Sequence, residues 1–301
     1  MIKSLVLQVA IILAMTTAAP ASAAEESKVT IGGAGPLIGT MELLAEAYNR
    51  ANPGRKVEVV PRDEKSGKIL SMTSQGGIKT AIQGTFKGGA FIGFSSDRLT
   101  EEQRKMGAQA VEVARVALVF VVAEKNAPVD NLTTQQVIAI YARKMREWRP
   151  GLPIRLVRRP LVESDNTILM ENIPQLKPLI IDLLDPNSEA GRGLELANDA
   201  QENANYIEQH EQHPGALGTS STNMLITEKR ALKALKLDGV DSSAANILNG
   251  RYPLQKSVFV VTGKTVTPEM RDFIAFVENS TASRDIFTKT GHVFIAGSGS
   301  R

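Results

Sequence analysis

The chain alternates short β-branched runs with helix-length amphipathic stretches, and glycine-rich turns stand between them. Val29-Thr30-Ile31 reads as a strand. Gly32-Gly33-Ala34-Gly35-Pro36 follows, then a helical pattern through M-E-L-L-A-E-A-Y-N that stops near Asn52-Pro53-Gly54. Lys56 to Val60 is strand-like, with Val57 and Val59 alternating against Glu58. Gly76-Gly77 opens a helix across I-K-T-A-I-Q, and Ala90 to Phe94 reads as a buried strand. Such β-loop-α repetition predicts a doubly wound α/β layer structure. Two further strands are expected at Val111 to Ala114 and Val116 to Ala123; the second is either a central strand or a crossover between lobes.

Thr133 or Thr134 caps a helix T-Q-Q-V-I-A-I-Y. Ile154 to Val157 is a strand. Asn166 to about His210 is mainly helical, with breaks near Pro174, Pro178 and Asp185-Pro186. Ala216 to Gly218, Ala234 to Leu237 and Ser257 to Thr262 read as strands. Pro268 to Glu278 reads as a helix with Thr267 as its cap, and a shorter helix follows around Ser283 to Lys289. There is no solenoid period and no low-complexity linker. Two lobes without a tether imply discontinuous domains and a cleft between them.

The first residues read as an export signal: Lys3, an apolar run from Leu5 to Met15, and small residues ending Ala21-Ser22-Ala23 before an acidic start. Cleavage after Ala23 is expected. The chain has no Cys, which excludes disulfides and a lipid-modified cysteine. With 35 Lys and Arg against 32 Asp and Glu, a formal +3, the charge gives no argument for nucleic acid.

Four loops have the composition to hold an anion. Gly32 to Leu37 joins a strand to a helix, where free N–H groups and the helix dipole favour negative charge; a tight structural turn is the alternative. Thr73-Ser74-Gln75-Gly76-Gly77 offers the Ser74 hydroxyl and the N–H groups of Gly76 and Gly77, or else plain capping. Ser95-Ser96-Asp97 follows a strand, with a helix cap at the start of the next element as the alternative. A carboxylate there suits an anion that still carries a proton, as monohydrogen phosphate does, and repels one that does not. The fourth is Arg158-Arg159 followed by Glu163-Ser164-Asp165-Asn166-Thr167. There an arginine fork is either a clamp for an oxyanion or a partner for the neighbouring carboxylates.

In this order the loops resemble those of the phosphate-type periplasmic substrate-binding proteins of ABC uptake systems. The matching pieces are G-G-A-G at Gly32 to Gly35, T-S-Q-G-G-I-K-T-A-I-Q-G at Thr73 to Gly84, F-S-S-D-R-L at Phe94 to Leu99 and N-L-T-T-Q-Q-V-I-A-I-Y at Asn131 to Tyr141. P-G-A-L-G at Pro214 to Gly218 and R-Y-P-L at Arg251 to Leu254 complete the set. The resemblance implies a two-lobed type II clamshell. Residues 24–115 and 258–301 would form the first lobe and 116–257 the second. It also implies capture of inorganic phosphate or a similar oxyanion in a periplasm, delivery to an ABC permease, a monomer, and no catalysis, cofactor or metal. Carried over residue by residue, the ligand set is Gly35, Leu37, Ile38, Ser74, Gly76, Gly77, Asp97, Arg158 or Arg159, Ser164, Asn166 and Thr167.

Two positions depart from that family. No hydroxyl follows the first glycine loop, where Pro36, Leu37 and Ile38 stand, so backbone donors would have to serve, and Pro36 has none. The family's G-S-G-T is here E-S-D-N-T, which places Asp165 on a glycine position. These changes leave open a second reading, the same fold with another ligand or in a sensory or accessory role. An exported hydrolase is the remaining alternative, but it lacks a G-x-S-x-G elbow, and His210 and His213 have no third ligand nearby.

Overall fold

The computed structural model describes residues 27–125 and 127–295; the signal sequence and its Ala23 cleavage site lie outside them. The strand Ser27–Gly33 pairs in parallel with Arg55–Val59 on one side and with Gly89–Ser95 on the other. Gln255–Thr262 lies antiparallel beside Gly89–Ser95 and also pairs with Gln109–Ala123. The helices Ile38–Ala51, Pro268–Asn279 and Thr281–Lys289 cover one face. Thr73–Gln83 covers the other.

Strand alternation explains both layers. Val258 and Val260 point into the cluster that holds Leu44, Tyr48 and Phe273, whereas Phe259 and Val261 point into the cluster of Ile78, Ala81 and Phe91. A strand buried on both faces reads as a continuous apolar run, which is the expected signature of a doubly wound sheet. Thr267 caps Pro268–Asn279 by accepting from the Met270 N–H at 3.3 Å, as expected from the sequence.

The two strands expected around residues 111–123 are one strand of 15 residues. Arg115 is exposed within it and suggested a break, yet the strand runs through it, with only a shift of register nearby, where Val258 pairs with Ala114 and Phe259 with Glu112. Its first part pairs with Gln255–Thr262. From Leu118 onward it pairs with Ala216–Ser221 and then with Leu232–Ala234. Arg155–Leu156 joins Ala216–Ser221 on the far side. One strand thus belongs to both sheets of a two-lobed α/β clamshell, so both alternatives for it hold.

Around the second sheet pack the helices Thr134–Tyr141, Ser164–Asn172, Leu176–Leu184 and Ala200–Glu208. Thr133, rather than Thr134, caps the first of these in a reciprocal capping box with Gln136. Pro178 does not break the chain. It lies in the first turn of Leu176–Leu184, where its missing N–H has no intrahelical partner to lose. The single strand expected at 234–237 is two short ones, Leu232–Ala234 and Lys236–Leu237. Tyr141, Trp148 and Tyr252 are packing residues. The Tyr252 hydroxyl donates to the Leu118 carbonyl at 2.9 Å and the Trp148 indole to the Gly215 carbonyl at 2.9 Å.

Candidate functional site

Gly89–Ser95 ends at the carboxyl edge of its sheet, where α/β folds present their ligands. The next residues form a tight hydroxyl loop. The Ser96 N–H donates to Ser74 Oγ at 3.0 Å, and the Asp97 N–H donates to Ser95 Oγ at 2.9 Å. The Asp97 carboxylate accepts from Gln75 Nε2 at 2.8 Å, and Gln103 Nε2 steadies Gln75 at 2.9 Å. Asp97 is therefore no helix cap; Thr100 caps the next helix. Burial raises the Asp97 pKa above its ordinary value, against the lowering effects of Gln75 and Lys256.

The helix carrying Ser74 begins at Thr73, so Gly76 and Gly77 lie inside it and do not open it. The Gly76 N–H donates to Thr73 Oγ1 at 3.3 Å. Gly77 serves close packing: a Cβ there would stand 2.9 Å from Gly33 Cα and 3.3 Å from the Phe94 carbonyl oxygen. Glycine lets the helix lie directly on the strands.

The first glycine loop is covered from the second lobe. A Cβ on Gly35 would meet Ser71 Oγ at 2.9 Å and Gln201 Oε1 at 3.1 Å, and Asn223 Nδ2 donates to the Pro36 carbonyl at 2.5 Å. Leu37 is 1% exposed and belongs to the core. Ile38 lines a separate cavity of about 410 Å³ with Glu42, Arg62, Lys68 and Arg230. This loop is an interlobe contact, and Leu37 joins the core because the strand-to-helix turn points it inward.

The structure separates Arg158 from Arg159. Arg158 donates to the Leu183 carbonyl at 2.6 Å and the Leu194 carbonyl at 2.7 Å, fastening loops inside its own lobe. Arg159 is 4% exposed and turns toward the helix Ser164–Asn172. Its Nη2 donates to Glu163 Oε2 at 2.5 Å, and its Nη1 stands 3.9 Å from Asp165 Oδ2. The Asn166 amide donates to the carbonyls of Arg159 and Pro160, both at 2.9 Å, so it shapes the loop from within. Ser164 and Thr167 stay near the surface of the helix N-terminus.

At the centre lies a residue that sequence reasoning missed. Lys256, 2% exposed, forms an ion pair with Asp165, itself 3% exposed. Thr219 Oγ1 donates to the other oxygen of Asp165 at 2.6 Å. Desolvation pulls the Asp165 pKa up, but Lys256, Arg159 and Thr219 together outweigh it and hold the value at about 2. Glu163 shifts the other way: burial raises its pKa more than Arg159 lowers it. The signal for Lys256 was present in strand alternation. It shares the inward-facing register of Val258, and a buried lysine needs a buried acid.

Ser96, Asp97, Ser164 and Thr167 line one cavity of about 430 Å³, together with Gln75, Arg98, Gln255 and Ser257. Of the expected ligand residues, Asp97 from one lobe and Ser164 and Thr167 from the other line this cleft. Ser74, Gly76 and Arg159 do not line it, and Gly35, Leu37, Ile38, Gly77, Arg158 and Asn166 serve packing or loop shape. Among the described residues no group of three or more His, Cys, Asp or Glu is placed to hold a metal ion, and no helix is long and apolar enough to cross a membrane. The His213 ring stacks on Tyr206 with centroids 3.7 Å apart.

A PBP superfamily domain model matches residues 18–280. The chain is 24% identical over 272 residues to the phosphate-binding protein PstS of Bacillus subtilis, covering 88% of this chain and 80% of that one. Its fold is similar to that of a Clostridium perfringens protein described as a phosphate ABC transporter substrate-binding protein with bound phosphate. That match has a TM-score of 0.70 at 23% identity and covers 89% of this chain and 99% of the other. It is also similar to the periplasmic molybdate-binding protein of Azotobacter vinelandii, with a TM-score of 0.54 at 16% identity over 89% of this chain and 99% of that one. By fold, by the cleft between its lobes and by this match along most of its length, the chain belongs to the PBP superfamily.

Proposed function

We propose that the chain is a monomeric receptor, exported to the periplasm, that captures inorganic phosphate or a similar oxyanion between its lobes and hands it to an ABC permease. The observation that carries this reading is the shared cavity, which Ser96 and Asp97 line from one lobe and Ser164 and Thr167 from the other. Hydroxyl donors on both sides suit an oxyanion, with Arg159 and Lys256 buried beside Asp165, the neighbour of Ser164. Asp97 gives the selectivity. It accepts a hydrogen bond from an oxyanion that carries a proton and repels one that is fully ionised. The names of the relatives support phosphate, and the leader pattern supports export.

Calorimetric titration of the mature protein with phosphate and with sulfate tests the reading. Phosphate should release or absorb heat in a saturable way and sulfate should not. A flat phosphate trace at millimolar ligand would retire it. Edman sequencing of the periplasmic fraction tests export, with Ala24 as the expected first residue.

One observation favours the second reading, the same fold with another ligand or a sensory or accessory role. The central cations already face Asp165 and Glu163 within the chain. Native mass spectrometry of protein purified without ligand removal tests it; a bound species other than phosphate would support it.

A further inference from the structure

Asp165 has the surroundings of a bound oxyanion. One oxygen meets the Lys256 ammonium; the other takes the Thr219 hydroxyl at 2.6 Å and faces Arg159 at 3.9 Å. These are a cation, a hydroxyl and a second cation converging on one carboxylate, all almost fully removed from water. The carboxylate does not exhaust them. A separation of 3.9 Å is an ion pair and too long for a hydrogen bond. Arg159 Nε and Nη1 have no hydrogen-bond acceptor among the described residues, although the side chain is 3% exposed. A buried guanidinium with idle donors is costly, and it fits a group with more oxygens than a carboxylate has. Ser164, the neighbour of Asp165, lines the cavity of about 430 Å³ that Asp97 lines from the other lobe.

We infer that Asp165 is a tethered occupant of the oxyanion position: its carboxylate holds Arg159 and Lys256 in the absence of ligand, and a free tetrahedral oxyanion binds these cations only by displacing it. The inference rests on the phosphate-receptor reading. Charge explains why displacement is required. Asp97, Glu163 and Asp165 stand close to Arg159 and Lys256, and Arg98 and Glu171 line the cavity beside them, so four carboxylates already face three cations. A doubly charged phosphate added without removing one of them would meet net repulsion. Removing it leaves the two buried cations for the ligand. Tethered competition lowers apparent affinity by the fraction of molecules with the site free. The device therefore sets a threshold: the receptor responds to phosphate at higher concentrations than its donors alone would give.

The test is calorimetric titration of the mature wild-type protein, Asp165→Asn and the double variant Asp165→Asn/Lys256→Gln with inorganic phosphate, with thermal unfolding of each in parallel. Asp165→Asn keeps the shape and the acceptor for Thr219 but releases the cations. It should bind phosphate at least about tenfold more tightly than wild type, as a free-site fraction of a tenth or less requires. It should also unfold at a lower temperature without phosphate and regain stability with it. The double variant restores a neutral hydrogen-bonded pair and should fold without that gain in affinity. Equal or weaker phosphate binding by Asp165→Asn, with a wild type that binds, overturns the tethered occupant and leaves the receptor reading standing. Folded wild type and Asp165→Asn that both ignore phosphate overturn the two together.

Discussion

Thr219 Oγ1 donates to Asp165 Oδ2 at 2.6 Å and ties the strand Ala216–Ser221 to the first turn of the helix Ser164–Asn172. The bond fixes the carboxylate so that its other oxygen faces Lys256, and it makes the acid response of the fold specific to one residue. The Asp165 pKa stands at about 2 against an ordinary 3.8. A depressed carboxyl pKa stabilises the fold above its unfolded value, and that contribution is lost as pH falls through the folded value. The window therefore runs from 3.8 down to about 2. The difference is worth about 2 kcal/mol. Urea midpoints measured against pH should fall across this window in the wild type and stay flatter in Asp165→Asn. Asp97 and Glu163 have raised values and act in the opposite sense, gaining stability as pH falls. Asp165 itself helps to raise both, so Asp165→Asn should also shrink their opposing contributions.

Arg158 and Arg159 should separate stability from binding. Arg158→Met removes two charge-assisted bonds to the Leu183 and Leu194 carbonyls and should destabilise the fold by about 2–3 kcal/mol, with phosphate affinity unchanged. Arg159→Lys keeps the charge but loses the planar fork, and it should weaken phosphate at least about tenfold, or ~1.4 kcal/mol. Denaturant unfolding and calorimetry on both variants check the split.

Asp97→Asn should relax the discrimination between oxyanions. The neutral amide no longer repels sulfate, and like-charge contact costs several kcal/mol, so sulfate affinity should rise at least about tenfold. Thermal stability should hold or increase, because a buried carboxylate with a raised pKa is removed. Competition of sulfate against labelled phosphate reads the change.

Two neighbouring glycines should respond in opposite directions. Gly77→Ala forces a Cβ to 2.9 Å from Gly33 Cα, an overpacking that costs about 1–3 kcal/mol. At Gly76 the nearest atom to a new Cβ is 3.4 Å away, an ordinary contact. Gly76→Ala should therefore be neutral or stabilise the helix by up to about 1 kcal/mol. Chemical denaturation distinguishes them.

Much of the layer order was legible because both periodicities were strong. Val57 and Val59 alternate against Glu58, and Thr267 announces the helix that Pro268 opens. Loop geometry was harder. The glycines at 32–35 have the composition of an anion loop, yet Gln201 and Asn223 arrive from far along the chain to cover it, and no local pattern encodes that approach. Arg158 and Arg159 are adjacent and chemically identical. Only the positions of the Leu183 and Leu194 carbonyls decide which one is drawn off to hold loops. Asp165 was noted as a charge on a glycine position, but its meaning needed Lys256, which lies 91 residues away.

The central strand of the first sheet, Gln255–Thr262, comes from near the end of the chain and sits between Gly89–Ser95 and Gln109–Ala123. A polypeptide made from its N-terminus therefore presents the Gly93–Ser95 end of that strand as an open edge until residues 255–262 are made. Only when Phe259 can align with Ser95 on one side and Glu112 on the other is the sheet sealed. Pairing over such a sequence distance is slow, and an unsealed apolar edge attracts other chains. The fold thus postpones its own completion, and a newly made chain stays loose, and dependent on protection from aggregation, until residues 255–262 have emerged.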